Sequence, residues 1–236
     1  MKSILLSALF CSFFFLSCSS DDSTEDVNTT AETLKPKKSY ARTSNAVSGN
    51  LANAYDLAGN LQYQLLVSAI ESTPSNTLSS IVTATNNVAL TNTNFINAAP
   101  LFTGLITSQV QWVIDCNGNT QTVVNASGLS ANGKSRLGSF LLLMDGAEAN
   151  DYSDNYDVIV DFEAKVTLAT NLTVTDKALI LRTTSIARYT CFYIDDRDKD
   201  WGGLKNSLIG AVKGATTNMD TAITLAVAAG IQQDFN

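Results

Sequence analysis

Between residues 156 and 170 the chain reads YDVIVDFEAKVTLAT. Val158, Val160, Phe162, Ala164, Val166 and Leu168 fall on every second position, with Ile159, Asp161, Glu163, Lys165 and Thr167 between them. A period of two is the spacing of a strand with one face buried and one mostly wet. It predicts Val160 and Phe162 inside, and Asp161 and Glu163 in water. A lone strand leaves its backbone groups unpaired, so this stretch asks for a sheet. ALILRTTSIARYTCFYID, beginning at Ala178, is the expected neighbouring strand. Val110, Trp112 and Ile114 also alternate with polar residues, Asn117-Gly118 is a hairpin signal, and Val123 and Val124 follow it.

Either side of this region the period is helical. Leu51, Tyr55, Ala58, Leu61, Leu65 and Ala69 recur at spacings of three and four, with Asn50 as the cap, and Pro74 marks a turn. Leu78, Ile81, Val82, Thr85, Val88, Ala89, Phe95 and Ile96 repeat the pattern. The Thr and Asn content of this second helix weakens it intrinsically, so it depends on packing. After Trp201-Gly202-Gly203 a stripe from Leu204 through Leu208, Ala211, Ala215, Met219, Ala222 and Ala226 to Ala229 predicts one long, tightly packed helix. Residues 129–146, LSANGKSRLGSFLLLMDG, suit either a short helix carrying Leu137, Leu141 and Met144 or a buried strand. The order helices, strands, helix gives an α+β domain over residues 49–236: an N-terminal helical hairpin, a mainly antiparallel sheet and a long C-terminal helix.

The first residues set an address. Lys2 precedes an apolar run from Ile4 to Leu16, 13 residues long. A membrane-spanning helix needs about 20, whereas a signal peptide does not. Phe15, Leu16 and Ser17 lead into Cys18. A large apolar residue, a small one and then Cys resembles the lipobox of bacterial lipoproteins. The resemblance covers about the first 25 residues of the chain. It implies removal of residues 1–17, lipidation of Cys18, and attachment to the outer membrane through several acyl chains. The following SSDDSTED resembles the acidic signal that sends some of these lipoproteins to the cell surface; the periplasmic face is the alternative. Asp22-Ser23-Thr24 and Asp220-Thr221-Ala222 match a short O-glycosylation pattern known in some of the same bacteria. Residues 18–48 are acidic, then basic, and poor in apolar residues. They read as a tether that cannot bury enough surface to order itself.

Charge and composition narrow the chemistry. The net charge is −7, and loss of Lys2 with the signal peptide leaves −8 (−7 minus one positive charge). An acidic chain repels phosphate backbones, which argues against nucleic acid as a partner. The chain contains no histidine. That removes His-based triads, the usual zinc sites and histidine pH switching. Cys116 and Cys191 either pair in a disulfide or stand as two buried thiols. A bond would close a loop of about 75 residues, worth about 4 kcal/mol in the chain-entropy model.

Two acidic stretches remain. Asp196, Asp198 and Asp200 have the alternate spacing of calcium loops, and calcium is the one cofactor the sequence suggests. Trp201 stands where such loops carry glycine, and Ser207 where they carry the bidentate glutamate. The other reading is a charged loop whose carboxylates favour the start of the last helix. Asp145, Glu148, Asp151, Asp154 and Asp157 could supply a carboxylate pair for glycoside cleavage or form a solvated loop, with Tyr152 and Tyr156 as ligand contacts or anchors. Two functions compete. One is a non-catalytic envelope lipoprotein that binds, adheres or scaffolds, with another envelope protein or a glycan as its partner. The other is a carboxylate-dependent surface hydrolase acting on glycans.

Overall fold

The computed structural model describes residues 48–197 and 201–234, all within the unit Ser44–Asn236. Cys18, the signal peptide and all of the tether before Ser48 lie outside the described residues. The described residues form helices and connecting turns, with no strand among them: α1 (Asp56–Ser72), α2 (Leu78–Thr91), α3 (Thr93–Ala98), α4 (Thr107–Asp115), α5 (Thr120–Ala126), α6 (Ala131–Met144), α7 (Tyr152–Leu168), α8 (Val174–Arg197), α9 (Gly202–Ala215) and α10 (Met219–Asp234). A single 3-10 turn, Ala147–Ala149, joins α6 to α7. The expected α+β class and its antiparallel sheet are therefore corrected to an all-helical fold.

The long strand is α7. Its buried residues are Tyr152, Asn155, Ile159, Phe162, Glu163 and Val166, spaced by three and four rather than two. Val158 and Leu168, assigned to the buried face of a strand, are exposed, and Val160 is only half-buried. The charges of α7 other than Glu163 stay on its exposed side. Asp154, Asp157, Asp161 and Lys165 recur at helical spacing along the exposed side, and Lys165 pairs with Asp161 one turn earlier.

The expected partner strand is the interior of α8. From Leu179 to Cys191 every residue except Arg182 is buried, because α8 is surrounded by α1, α6, α7, α9 and α10. A helix covered on all sides loses its amphipathic period and reads as a continuous apolar run. In α4, Val110 and Val113 face the core, three residues apart. Asn117 and Gly118 do adopt the left-handed backbone of a tight turn, with φ of 47° and 71°. That turn joins α4 to α5 instead of two strands. Residues 131–144 take the helical alternative, burying Leu137, Leu141 and Met144.

The long C-terminal helix is corrected as well. It breaks at Thr216–Asn218. Thr216 donates its hydroxyl to the Lys213 carbonyl at 2.6 Å, and the Asn218 side chain accepts from the Thr221 amide at 2.9 Å, stopping α9 and capping α10. The two halves then fold back on each other. A Cβ on Gly210 would lie 2.7 Å from the Leu225 carbonyl oxygen, and one on Gly214 would overlap the Ala222 backbone. The alanine stripe of α10 and the glycines of α9 are thus the two faces of one close antiparallel contact. Gly59 does the same for α1 against the Ser185 backbone of α8.

A buried carboxylate pins two helix starts together. Asp176, on the first turn of α8, accepts from the Ser130 amide (2.9 Å), the Ser130 hydroxyl (2.7 Å) and the Thr173 amide (3.0 Å). Gly133 leaves room for it, since a Cβ there would overlap the carboxylate. Burial alone would raise the Asp176 pKa, but the hydrogen bonds from Ser130 and Thr173 outweigh it and the net shift is downward. A depressed folded pKa gives stability that is complete above the ordinary carboxylate value of about 3.9. That stability is lost as pH falls through the lower folded value. Asp176→Asn should therefore destabilise the protein by about 1–3 kcal/mol at neutral pH. In urea unfolding from pH 7 to pH 2, the gap between wild type and variant should close in acid; a gap independent of pH would contradict the assignment.

Candidate functional site

Among the described residues, the most buried charge is Arg188 on α8. Its side chain is fully enclosed, as is the Glu163 carboxylate of α7, while Asp56 at the start of α1 is 17% exposed. Arg188 donates through Nη2 to Asp56 and through Nη1 to the Ser48 carbonyl, with Glu163 Oε1 3.5 Å from Nη2. The rings of Tyr156 and Tyr189 flank it at 5.9 and 5.3 Å. Glu163 also accepts from Asn50 (2.6 Å), Asn53 (2.8 Å) and Thr184 (3.0 Å). Tyr156 donates to the Gly49 carbonyl at 2.8 Å. Burial would lower the Arg188 pKa, but the two carboxylates hold the guanidinium charged. Every partner in this centre belongs to the chain itself. It fastens residues 48–56 across α7 and α8 and serves as scaffold. Glu163, expected in water, is one of its hubs, because the helical turn of α7 carries it inward beside Phe162.

Cys116 stands at the end of α4, and Cys191 lies within α8, three residues after Arg188. Both are buried free thiols. Burial pushes Cys191 up to about 12 and raises Cys116 as well, so neither is a thiolate nucleophile near neutral pH. Asp196 lies in the last turn of α8, with its carboxylate 3.5 Å from the Arg197 Nε. Asp198 and Asp200 lie outside the described residues. Among the described residues no group of three or more acidic, Cys or His side chains is placed to hold a metal ion.

Among the described residues, one opening that other molecules can reach is a cleft of about 640 Å³ between the α4–α5 turn, the end of α6, the start of α9 and the end of α10. Its volume falls in the range of small-ligand sites. Ile114, Leu141, Met144, Leu204 and Leu208 supply apolar lining, and Trp201 adds an indole. Polar groups converge over them: the amides of Asn117, Asn206 and Gln233, the carboxylates of Asp145 and Glu148, and the Lys205 ammonium. Local chemistry sets their positions. Lys205 passes over the Asn117–Gly118 turn, where a Cβ on Gly118 would approach its Cδ to 3.1 Å, and reaches Asp145 at 3.0 Å. Asn206 donates to Gln233 at 2.9 Å, which ties the first turns of α9 to the last turn of α10.

No family model, curated protein or solved structure matches this chain. The cleft must therefore be read from its own residues. Of the acidic stretch 145–157, Asp145 and Glu148 reach the cleft. Asp154 and Asp157 lie on the exposed side of α7, and Asp151 precedes its first turn. Tyr156 is an anchor for residue 49 rather than a ligand contact. Trp201, Lys205, Asn117 and Gln233 carry no sequence signal as a site, since Asn117 and Gln233 stand 116 positions apart and Trp201 and Lys205 stand far from both. The Asn117-Gly118 turn signal and the acidic pair Asp145 and Glu148 mark parts of the cleft in advance.

Proposed function

We propose that this chain is a lipid-anchored protein of the bacterial outer membrane, held through Cys18, that binds a small polar ligand in the α4–α5/α6/α9 cleft without altering it. The observation that carries the reading is the cleft itself, in which apolar lining, one indole and converging amide and charged groups meet. The lipobox-like FLSC sequence supports the anchor. Among the described residues no helix is long and apolar enough to cross a membrane, so attachment in this reading rests on the acyl chains of Cys18.

A second reading, a carboxylate-dependent glycan hydrolase, is favoured by one fact: Asp145 and Glu148 line the same cleft. Asp145 is already engaged by Lys205, which makes it a poor proton-transfer partner, and the chain offers no histidine in its place.

The test is a thermal melt of the full chain in detergent with saccharides, amino acids and polyamines as probes. One class should raise the melting temperature, reaching about 2.7 kcal/mol of added stability at a hundredfold excess over Kd. Trp201→Ala should abolish the rise, and mass spectrometry should recover the probe intact. No shift with any class, or a shift that survives Trp201→Ala, would refute the cleft; a cleaved saccharide would favour the hydrolase. Cys18→Ser should in parallel end fatty-acid labelling of the expressed protein, and continued labelling would refute the anchor.

A further inference from the structure

A second depression of about 430 Å³ adjoins the cleft along α5 and α6. The two share Thr120 and Asp145 as lining residues, so they meet at one rim. The second is lined by the hydroxyls of Ser135 and Ser139, by Gln121, and by Lys134, with Leu142 as an apolar face. Gly138 forms part of its floor, and a Cβ there would meet nothing within 4 Å. Two depressions that adjoin in this way offer a track longer than either one alone.

Resting on the binding role proposed above, we infer that the ligand of this track is an uncharged linear oligosaccharide, with one ring over Trp201 and the following units along α5 and α6. Amide side chains each offer a donor and an acceptor, and hydroxyls do the same; both match sugar hydroxyls, which donate and accept together. Trp201, in the lining of the first depression, carries an indole, a ring of the kind on which a pyranose stacks. Charge points the same way. Asp145, Glu148 and Lys205 leave the first cleft with a net charge of −1 (two carboxylates, one ammonium), while Lys134 in the second gives its ammonium to the Asn125 carbonyl at 2.8 Å. A phosphorylated or sulfated ligand would meet a carboxylate at the point where the depressions join. A compact metabolite would leave the second depression unused.

Gly138 makes the length of the ligand testable. It lies inside α6, where glycine is the weaker helix former, so a larger residue is tolerated by the helix. Gly138→Phe should fill the second depression and leave the first open. Isothermal titration of the full chain would use uncharged gluco-, manno- and N-acetylglucosamine disaccharides and hexasaccharides. In the native protein a hexasaccharide should bind about tenfold or more tighter than its disaccharide. Gly138→Phe should remove that advantage and leave disaccharide binding unchanged, and Trp201→Ala should weaken both about tenfold. Circular dichroism of each variant confirms that the helices remain. Equal affinity for the two lengths in the native chain, or a length advantage that survives Gly138→Phe, would overturn the inference. Binding of spermidine but of no saccharide would overturn it too, while leaving the binding role of the cleft intact. Failure of every probe would overturn both.

Discussion

Replacing Arg188 by methionine should destabilise the protein by about 3–5 kcal/mol, the cost of leaving a buried ion without its partner. Methionine fills much of the same volume, so the loss is electrostatic and not a cavity. Glu163 would remain enclosed with hydrogen bonds from Asn50, Asn53 and Thr184 but no counter-charge. Asp56, which is partly exposed, can turn to water more cheaply. Residues 48–53 should loosen first, since the Ser48 carbonyl also loses its donor. Urea unfolding gives the magnitude, and amide hydrogen exchange across residues 48–56 gives the location. A loss under about 1 kcal/mol would mean that the centre is not the fastening it is described as.

The second large effect is expected at Gly214. A valine there would drive its side chain into the backbone of α10 at Thr221 and Ala222, where no rotamer can relieve the overlap. The α9–α10 pair would have to separate, at a cost of about 3 kcal/mol or more. Gly138→Ala, on an open face of α6, is the control and should gain about 0.5–1 kcal/mol. Thermal melts of the two variants should therefore move in opposite directions. A Gly214→Val protein as stable as the native one would contradict the close contact.

How much of this was legible in the sequence depends on which faces of each helix are covered. α1 and α2 each keep a side that is not buried, so their spacing of three and four is plain; Ala58, Leu61, Leu65 and Ala69 are buried, whereas Leu51 lies before α1 and is exposed. In α7 both periods fit the apolar residues, because Val158, Val160 and Leu168 are apolar without being buried. The charged residues separate the two periods at one step: Asp154 and Asp157 are three apart, which a strand face cannot hold, whereas Asp157, Asp161 and Lys165 fit either period. α8 gave no period at all, being covered on every side. The break between α9 and α10 was marked by Thr216, Thr217 and Asn218, a stop and cap signal that the alanine stripe on either side conceals.

The polar sites were hidden for a different reason. Arg188 stands 25 positions from Glu163 and 132 from Asp56, and no local pattern links residues so far apart. What the sequence does hold is a pair of arginines, Arg182 and Arg188, inside an apolar run. Arg182 stacks on Tyr55 at 5.0 Å, and Arg188 takes the carboxylates. A buried cation must have a partner, so the run predicts that some acidic residue is also buried, without saying which. The cleft is still less legible, since its walls come from four separate segments and its residue types are ordinary surface ones.

Because α7 is a helix with Glu163 turned inward, the two neighbouring acids Asp161 and Glu163 separate the helix from a strand in one comparison. On a strand both would share the wet face, and each alanine substitution would cost within about 0.5 kcal/mol. On α7, Asp161 is exposed and paired only with Lys165, whereas Glu163 is enclosed against Arg188. The decisive measurement is the difference in urea unfolding free energy between Asp161→Ala and Glu163→Ala. Glu163→Ala should lose about 3–5 kcal/mol and Asp161→Ala no more than about 0.5 kcal/mol; equal small losses from the two would contradict the helix and the buried centre together.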